Sequence, residues 1–388
     1  MKKQALCVLL SFLMLFGLVS CTKEPPEEQP SEPEAPTAES TESSAEESTK
    51  GTQSMTNQAT AKEPVLTGEG KTIDLYLIAG QSNAGGHTKI TDAEALYAQY
   101  PELKTGFSNV HYSGTARRGG ASDLNVRTFM WIPARLGLGR TNDSYMGPEA
   151  GMAIALSQYY NQETGRQAGI IKFAHGGTSI FNTTSGDNYH GNWLCPSYAE
   201  ELNVAYLGAS GALYRGLLNQ VETSVRGLQA YGGYTNVNLK GIYWMQGCAD
   251  RGKQEQYDHA IQLLFSDLRK DLSELMLELS GGVTDCGASE LPIFIGTISE
   301  TFAGAQSSTV ATNQAFITMQ KGLATKISHC TVIDNSSYAI NRWDTDTNQS
   351  VVVGSDQYHW NQADALAIGQ NVGNKMLEIC VNYKQSTE

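Results

Sequence analysis

The sequence predicts an α/β domain with a mainly parallel central sheet that is covered by helices on both faces. Two observations lead to this fold class. Short apolar runs of four to nine residues alternate with longer segments of helical periodicity, which is typical of βαβ units in parallel sheets. In addition, residues 63–388 show no internal repeat and no sharp linker. One domain is therefore expected over that range.

The first elements follow from local signals. Ile73–Ala79 is a compact apolar run that ends at Gly80, which predicts the first strand. A helix is predicted over Gly147–Tyr160. Its first turn contains Pro148 and Glu149, and both residues are favoured where N–H groups are free and the helix dipole is positive.

The rest of the chain continues this alternation. The further strands are predicted at Ala168–Ala174, Val237–Met245, Leu291–Ile298 and Thr331–Asp334. The further helices are predicted at about Leu202–Gln229, Gln254–Leu279, Ala311–Ile327 and Gln362–Tyr383. The stretch from Tyr100 to Tyr145 lacks clear periodicity, so it is predicted to form long loops over one edge of the sheet, where substrate contacts often lie.

Composition excludes several classes of protein. The 388 residues are 40% hydrophobic and 9% aromatic, which is too much for a wholly disordered chain. The net charge of −13, from 27 basic and 40 acidic residues, argues against a nucleic-acid-binding protein, which needs a basic face. The seven cysteines form no CxxC or CxxxC pair, and the histidines have no metal-like spacing. We therefore expect no metal site and no cofactor.

The N-terminus has the pattern of an export signal. A basic start at Met1–Lys3 precedes the apolar run Ala5–Val19, which is shorter than the ~20 residues that span a bilayer comfortably. The end of the run resembles a bacterial lipobox. In that interpretation residues 1–21 are a lipoprotein signal, Cys21 is lipidated, and the protein is anchored on the outer face of the cell membrane. The alternative is an ordinary signal peptide that is cut elsewhere.

The segment 22–62 differs sharply in composition from residues 63–388. It contains nine Glu, five Pro and no aromatic residue, so it cannot bury enough apolar surface to offset its conformational entropy. We expect a disordered acidic tether that leaves the domain in contact with the membrane only through the lipid anchor. An interaction tail with its own partner is the alternative.

Five cysteines come after the tether: Cys195, Cys248, Cys286, Cys330 and Cys380. Disulfides form readily in exported proteins. Because five is an odd number, at least one thiol stays free or pairs elsewhere. The sequence does not assign the pairs.

Polar and glycine residues come directly after the ends of the predicted strands. GQSNAGG at 80–86 follows the first strand, HGGT at 175–178 follows the second, and QGCAD at 246–250 follows the third. DQYH at 356–359 comes shortly before the last helix. Ligands bind outside the carboxyl ends of strands in open parallel sheets. These segments are therefore expected to meet at one edge.

Ser82 lies in a glycine-rich turn between a strand and a predicted helix. A serine there is exposed and close to backbone N–H groups, so it can act as a nucleophile when a base reaches it. It could instead cap the next helix. A phosphate loop is disfavoured, since GQSNAGG matches neither GxGxxG nor GxxxxGK[ST], and the GxSxG elbow fails because residue 84 is alanine.

Asp356 and His359 are three residues apart, which places them on one side of a single turn. A carboxylate there can hold the imidazole tautomer whose other nitrogen accepts a serine proton. A DxxH pattern also occurs by chance in solvated turns. Gln246 and the pair Gly176–Gly177 could add donors to a developing oxyanion, although each is also ordinary strand-to-helix turn chemistry.

Together these segments resemble the SGNH hydrolases, and within them the branch that includes sialate O-acetylesterases and acetylxylan esterases (carbohydrate esterase family 6). The similarity runs from Ile73 to about Gly373. It rests on GQSN at 80–83, GPE at 147–149, HGGTS at 175–179, WMQG at 244–247 and DQYH at 356–359. The resemblance implies a three-layer α/β/α sandwich and the removal of O-acetyl groups from carbohydrate.

The resemblance also implies roles for individual residues. Ser82 would be the nucleophile, His359 the general base and then acid, and Asp356 the residue that orients His359. The oxyanion donors would be the backbone amides of Ser82 and Gly177 with the side chain of Gln246. The residues expected to contact the acetylated sugar, by their place in the matching segments, are Gln81, Asn83, Gly176 and Asp250.

One departure from the family pattern concerns residue 248, which is cysteine where the family usually has glutamate after QG. The absence of that glutamate could lower activity or move its role to Asp250. Glu149 is expected to be a buried acid at a helix start. The aromatic residues that could stack on sugar rings, or simply pack, are Tyr112, Trp131, Tyr189 and Trp193.

The function predicted from the sequence is thus a surface-anchored serine esterase that removes acetyl groups from sialic acid, xylan or a related glycan. Two alternatives stay open at this stage. One is a carbohydrate-binding lipoprotein on an inactive esterase fold, which the cysteine at position 248 would favour. The other is an esterase for lipid or peptidoglycan acyl groups, which no long apolar loop supports.

Overall fold

A mainly parallel seven-stranded sheet forms the centre of the part of the chain that the structure describes. The computed structural model describes residues 70–114, 131–139, 143–161, 165–181, 191–228, 234–304, 306–338, 340, 343–344, 349–350 and 356–383. The predicted signal segment with Cys21 and almost the whole stretch before the first strand lie outside these residues.

The strands have the following bounds: β1 Lys71–Gly80, β2 Thr88–Lys89, β3 Val110–Gly114, β4 Ile132–Pro133, β5 Tyr145–Met146, β6 Arg166–Ala174, β7 Tyr234–Met245, β8 Ile293–Gly296, β9 Cys330–Ile333, β10 Trp343–Asp344 and β11 Gln349–Ser350. The large sheet has the order β4-β3-β6-β1-β7-β8-β9. Its neighbours are parallel except for β4, which pairs antiparallel with β3. The pairs β2–β5 and β10–β11 are small antiparallel ribbons.

The helices have the following bounds: α1 Ser82–Gly85, α2 Ala93–Gln99, α3 Glu102–Thr105, α4 Pro148–Tyr159, α5 Pro196–Glu201, α6 Ala212–Gly227, α7 Gln254–Leu279, α8 Ser307–Gly322 and α9 Gln362–Cys380. They flank the sheet, and the predicted α/β fold, a three-layer α/β/α sandwich, is confirmed. Helices α4 and α9 pack closely, since a Cβ atom added at Gly151 would lie 2.1 Å from the carbonyl oxygen of Leu366. Within the described ranges no helix combines the length and apolar character that a bilayer-spanning segment needs.

The central position of β1 explains why most of its sequence is apolar. Residues Ile73, Leu75, Tyr76, Leu77 and Ile78 are fully buried, because neighbouring strands cover both edges and helices cover both faces. Full burial of such side chains contributes roughly 1.5–3 kcal/mol each relative to exposure. The sheet therefore supplies a rigid support for the residues that follow β1.

Two sequence predictions differ from the structure. The helix predicted from Leu202 begins only at Ala212, because Gly208 and Gly211 adopt left-handed backbone angles (φ 59° and 68°) that interrupt a helix. The region predicted as loops over 100–145 contains β3, which is a strand of the central sheet. Its sequence VHYSG has no continuous apolar run, and its burial comes from β6 and β4 on either side.

Candidate active site

Three strands end at the same level and bring the residues after them together. Gly80, the last residue of β1, lies opposite Ala174 of β6 and Met245 of β7. The chain leaves β1 for one side of the sheet and later returns to the other side of β1, so this is the point where strand order reverses. Such a switch point leaves a crevice at the carboxyl ends of the strands, where open α/β sheets bind ligands.

The turn after β1 holds Ser82 against this crevice. Gly80 has a φ of 133°, and a Cβ atom there would lie 2.1 Å from the carbonyl oxygen of Met245, so only glycine fits. The backbone N–H of Gln81 donates to the same carbonyl oxygen at 2.9 Å. Ser82 then begins α1 with 7% of its surface exposed. The turn is therefore fixed to β7 at its base while the serine reaches the surface.

The two backbone N–H groups that the sequence predicts as oxyanion donors belong to Ser82 and Gly177. The N–H of Ser82 is at the start of α1, where an N–H has no acceptor within its own helix. Gly177 has a φ of 68° and lies exposed in the turn after β6. Among the contacts of the described residues, neither N–H donates to a backbone or side-chain oxygen. The prediction that they act as oxyanion donors requires N–H groups of this kind.

Asp356 and His359 form a hydrogen-bonded pair, as their spacing predicts. Nδ1 of His359 is 2.7 Å from Oδ2 of Asp356. The other carboxylate oxygen accepts the backbone N–H groups of Tyr358 and His359 at 2.9 and 3.2 Å. Burial works to raise the pKa of Asp356, but the hydrogen bond and charge of His359 and the two amides outweigh it, so the net pKa is lowered. The carboxyl group is thus ionised and holds the Nδ1–H tautomer.

Contacts with the turn after β1, which contains Ser82 and is called here the nucleophile turn, position the segment 356–359. Nδ2 of Asn83 donates to the carbonyl oxygen of Tyr358 at 3.1 Å. The ring of His87 stacks on the ring of His359 with centroids 5.1 Å apart and planes inclined by 22°. Both contacts come from the turn that contains Ser82. The predicted base and the predicted nucleophile are thereby brought to one place although they are far apart in sequence.

His87 is a member of the site that the sequence reasoning missed. A Cβ atom added at Gly176 would lie 3.4 Å from Cβ of Ser82 and 3.8 Å from Nε2 of His87. Ser82, Gly176, His87 and His359 therefore surround one small space. The available sequence signal was the position of His87 at the end of the turn that begins at Gly80. The spacing of the histidines along the chain relates only to metal binding. It carries no information about the stacking of His87 on His359.

Gln246 and Asp250 form a buried support beneath the turn after β6. Nε2 of Gln246 donates to the carbonyl oxygen of Thr178 at 3.0 Å and to Oδ2 of Asp250 at 2.7 Å. Asp250 also accepts the hydroxyl of Ser179 and the backbone N–H of Ile180. Both N–H bonds of the Gln246 amide are thus in use. Donation from Gln246 to a substrate oxygen would require one of them to break.

The buried carboxyl group of Asp250 has a raised pKa, mainly because of burial. The three hydrogen bonds that it accepts act in the opposite direction. With none of its surface exposed, Asp250 cannot contact a sugar in this arrangement. Its contacts instead fix the backbone at 178–180, next to Gly177.

The other residues expected to contact substrate differ in exposure. Gln81 and Asn83 are buried, and Oε1 of Gln81 accepts the backbone N–H groups of Gly247 and Ala249 at 3.2 and 3.4 Å. Gly176 is half-buried beside Ser82. Gln81 therefore joins the nucleophile turn to the turn after β7. Of this predicted group, Gly176 has the surface position that substrate contact requires.

Cys248 is buried next to this junction. Burial raises the pKa of its thiol to about 12, with a smaller opposing effect from Arg251. A thiol with such a pKa is protonated and weakly nucleophilic at neutral pH, so the structure argues against a second nucleophile there. The five cysteines of the described residues are all free thiols.

Glu149 is a buried acid at the start of α4, as expected. Its Oε2 forms an ion pair with Nζ of Lys172 at 2.9 Å, and its Oε1 accepts the backbone N–H of Gly147 at 2.9 Å. Lys172 also donates to the carbonyl oxygens of Gly85 and Leu138 at 3.0 and 2.8 Å. The pair therefore fixes the far end of α1, the helix that begins with Ser82.

Three of the four aromatic residues considered for sugar stacking are buried. The exposed fractions of Tyr112, Trp131 and Trp193 are 3, 5 and 1%. The indole of Trp193 donates to the hydroxyl of Thr178 at 3.0 Å, so it supports the same turn as Asp250. These side chains pack inside the domain and offer no face to a sugar. Tyr189 lies outside the described residues.

Comparisons with known proteins bear on the fold and the family of this chain. No curated protein matches the chain by sequence. Among solved structures, NanS is similar with a TM-score of 0.51 and 10% identity, covering 82% of this chain and all of NanS. A protein from Arabidopsis thaliana is similar with a TM-score of 0.46 and 18% identity, and the match covers 79% of this chain and 98% of that one. A carbohydrate acetylesterase from Xanthomonas citri is similar with a TM-score of 0.43 and 13% identity, and the match covers 80% of this chain and 57% of that one.

The likeness to NanS shows the fold alone, and the other two likenesses are weaker. The family model identifies the chain more directly. The model described as "Carbohydrate esterase, sialic acid-specific acetylesterase" matches residues 72–378. This range contains every strand of the central sheet and all the residues of the candidate site. The chain belongs to this family of carbohydrate esterases.

Proposed function

We propose that this carbohydrate esterase removes O-acetyl groups from sialic acid, xylan or a related glycan by a Ser-His-Asp acyl-enzyme mechanism. The observation that carries the proposal is the hydrogen-bonded Asp356–His359 pair, which contacts of Asn83 and His87 hold against the turn of Ser82. A paired base, a serine at the crevice and backbone N–H groups available to donate are the components of acyl transfer.

The first half of the reaction forms an acetyl-enzyme. Nε2 of His359 takes the proton of the Ser82 hydroxyl while Oγ attacks the acetyl carbonyl carbon. The carbonyl oxygen becomes an oxyanion, which the backbone N–H groups of Ser82 and Gly177 stabilise. The bond to the sugar oxygen then breaks, and the imidazolium of His359 returns the proton to that oxygen, so the sugar leaves as an alcohol.

The second half releases acetate. Nε2 of His359 takes a proton from water, whose oxygen attacks the acetyl carbonyl carbon, and the same two amides stabilise the second oxyanion. The bond to Oγ of Ser82 breaks and the serine recovers its proton from His359. Asp356 keeps its negative charge throughout and stabilises the imidazolium that forms in each half. In this scheme Gln246 supports the turn of Gly177 rather than donating to the oxyanion.

The test is hydrolysis of p-nitrophenyl acetate by the chain expressed without its predicted signal segment, with Ser82→Ala in parallel. Removal of the serine should lower kcat by several orders of magnitude, as in triads generally. Release of acetate from O-acetylated N-acetylneuraminic acid and from acetylated xylo-oligosaccharides then identifies the sugar. Equal rates for the folded wild type and Ser82→Ala would refute the mechanism.

We further propose that the enzyme is an exported lipoprotein, anchored to the outer face of the cell membrane through Cys21. The support is the short apolar run Ala5–Val19 followed by Ser20 and Cys21. Cys21→Ser should abolish incorporation of labelled fatty acid and release the enzyme from the membrane fraction. Unchanged labelling and fractionation of Cys21→Ser would contradict the anchor.

A further inference from the structure

Tyr358 is an exposed aromatic residue directly beside the catalytic histidine. Half of its surface, 51%, is exposed, although its neighbour His359 is largely covered. Its ring meets the ring of Phe302 edge-on, with centroids 5.6 Å apart. The amphipathic ring of a tyrosine offers an apolar face and a polar tip, and an exposed one next to a reaction centre is a candidate for ligand contact.

A fixed row of side chains leads from Tyr358 away from the reaction centre. The guanidinium of Arg251 lies over the ring of Phe302 at 5.0 Å, and its Nη1 donates to the carbonyl oxygen of Cys248 at 2.8 Å. The backbone N–H of Ala303 donates to the carbonyl oxygen of Gln357 at 2.9 Å. Phe302 and Arg251 are therefore tied to the segment that contains His359.

The row ends at an open groove of about 440 Å³, which is lined by Ala249, Arg251, Ser308, Thr309 and Thr312. Its volume lies within the range of small-ligand sites, roughly 300–1,000 Å³. Its lining consists mainly of hydroxyl groups, which both donate and accept hydrogen bonds, and one guanidinium, which donates several. Hydroxyl-rich ligands match such a lining better than apolar ones do.

We propose that this groove, which Arg251 and Phe302 connect to Tyr358, binds a second sugar unit of an acetylated oligosaccharide while the acetylated unit reacts at Ser82. The inference rests on the proposed esterase function and names its substrate class as oligosaccharides rather than single sugars. The hydroxyls of Ser308, Thr309 and Thr312 and the guanidinium of Arg251 face the hydroxyls of that unit, and the ring of Tyr358 packs against the sugar that joins it to the reaction centre.

The experiment measures preference for chain length. Two pairs of substrates are compared by kcat/KM: acetylated xylose with acetylated xylotetraose, and O-acetylated N-acetylneuraminic acid with O-acetylated sialyllactose. The wild type should prefer the longer member of at least one pair by about tenfold or more, the equivalent of ~1.4 kcal/mol. Thr309→Trp, which fills the groove, should reduce that preference to near one. Thr318→Trp, on an exposed position of the same helix, should leave the preference unchanged.

The ratio of the two rates is the readout, so a uniform loss of activity or stability in a variant cancels. Tyr358→Ala is the second variant and should also lower the preference. If the wild type shows no preference in either pair, or if Thr309→Trp keeps it, the subsite proposal is wrong even though Ser82-dependent hydrolysis of p-nitrophenyl acetate continues. If that hydrolysis is absent, the proposed function fails, and titration of unacetylated xylotetraose and sialyllactose into wild type and Thr309→Trp decides the groove alone.

Discussion

Two regions carry the proposed catalytic residues: the turn with Ser82, called here the nucleophile side, and the segment 356–359 with His359, called the base side. They are held in place in different ways. The turn with Ser82 lies between buried strands and is fixed from below by Gln81, Lys172 and the end of β7. The segment 356–359 is partly exposed, and its own carboxylate caps its own backbone. Its contacts with the nucleophile turn come from Asn83 and His87.

Because of this difference, substitutions in the two regions should affect fold stability and catalysis to different extents. Side chains beneath the nucleophile turn are buried charges and amides, so changing one leaves unpaired groups in the interior and weakens the fold together with the reaction. Side chains of the base segment are near solvent. Changing one of them therefore alters the position or the tautomer of His359 at little cost to the stability of the fold. Variants on the two sides should therefore divide into two classes when kcat and thermal stability are measured together.

Apart from the loss of Ser82 itself, the largest expected effect on kcat is on the base side. Asp356→Asn removes the charge that stabilises the His359 imidazolium and favours the wrong tautomer, while its remaining oxygen can still accept the amides of Tyr358 and His359. We expect kcat to fall by about 10³–10⁴, the scale seen when the acid of a triad becomes an amide. Thermal unfolding should shift by no more than a few degrees, because 43% of the Asp356 side chain is exposed. A variant that retains more than a tenth of wild-type kcat would show that Asp356 is not the orienting acid.

For the residues that support the turn of Ser82 from beneath, the main expected effect is on stability. Lys172→Met leaves Glu149 buried without its cation, and removing one partner of a buried pair costs about 3–5 kcal/mol. The free energy of unfolding, measured in urea, should fall by that amount, and kcat should fall as well because Gly85 at the end of α1 loses its donor. The matched control is Lys321→Met, whose exposed pair with Asp334 should contribute under about 1 kcal/mol. Equal losses for the two variants would contradict the argument.

Substitutions of Asp250 test whether its carboxyl group positions neighbouring groups or takes part in the reaction. As a positioning group it needs only to accept from Ile180 and Gln246 and to pair with the hydroxyl of Ser179, and asparagine can satisfy all three, since a hydroxyl also accepts. Asp250→Asn should therefore keep kcat within about tenfold, whereas Asp250→Leu should lose about 100-fold through displacement of Gly177. Equal, severe losses in both variants would instead assign a reacting role to the charge.

The sequence was sufficient for residues whose position depends on chain neighbours and on strand ends. Ser82 follows a strand that could be predicted from its apolar run, and the spacing of Asp356 and His359 is enough to place them in contact. The boundaries of α7 were predicted residue for residue because it is long and amphipathic, and its start and end coincide with clear breaks in periodicity.

Properties that depend on contacts across the fold could not be predicted. The sequence marks Gln246 as a possible donor, but the contacts with Thr178 and Asp250 determine that both of its N–H bonds are used. Trp193 looks the same in sequence whether it faces a sugar or the core, and packing decides this. His87 has no motif of its own, since its role depends on the ring of His359, which comes from the far end of the chain.

The smallest expected effect concerns the contact that joins the two sides. The face of His87 covers the ring of His359, which should limit rotation of that ring and stabilise the imidazolium that forms by about 0.5–2 kcal/mol, the scale of a contact between a cation and an aromatic face. His87→Ala should therefore lower kcat by about tenfold with little change in KM, and His87→Phe, which keeps an aromatic face, should restore most of the loss. His259→Ala, at an exposed histidine that pairs with Glu201, is the control and should have wild-type kinetics. If phenylalanine is no better than alanine at position 87, the stacked face is not what positions the base, and the hydrogen bond of Asn83 is left as the main link between the two sides.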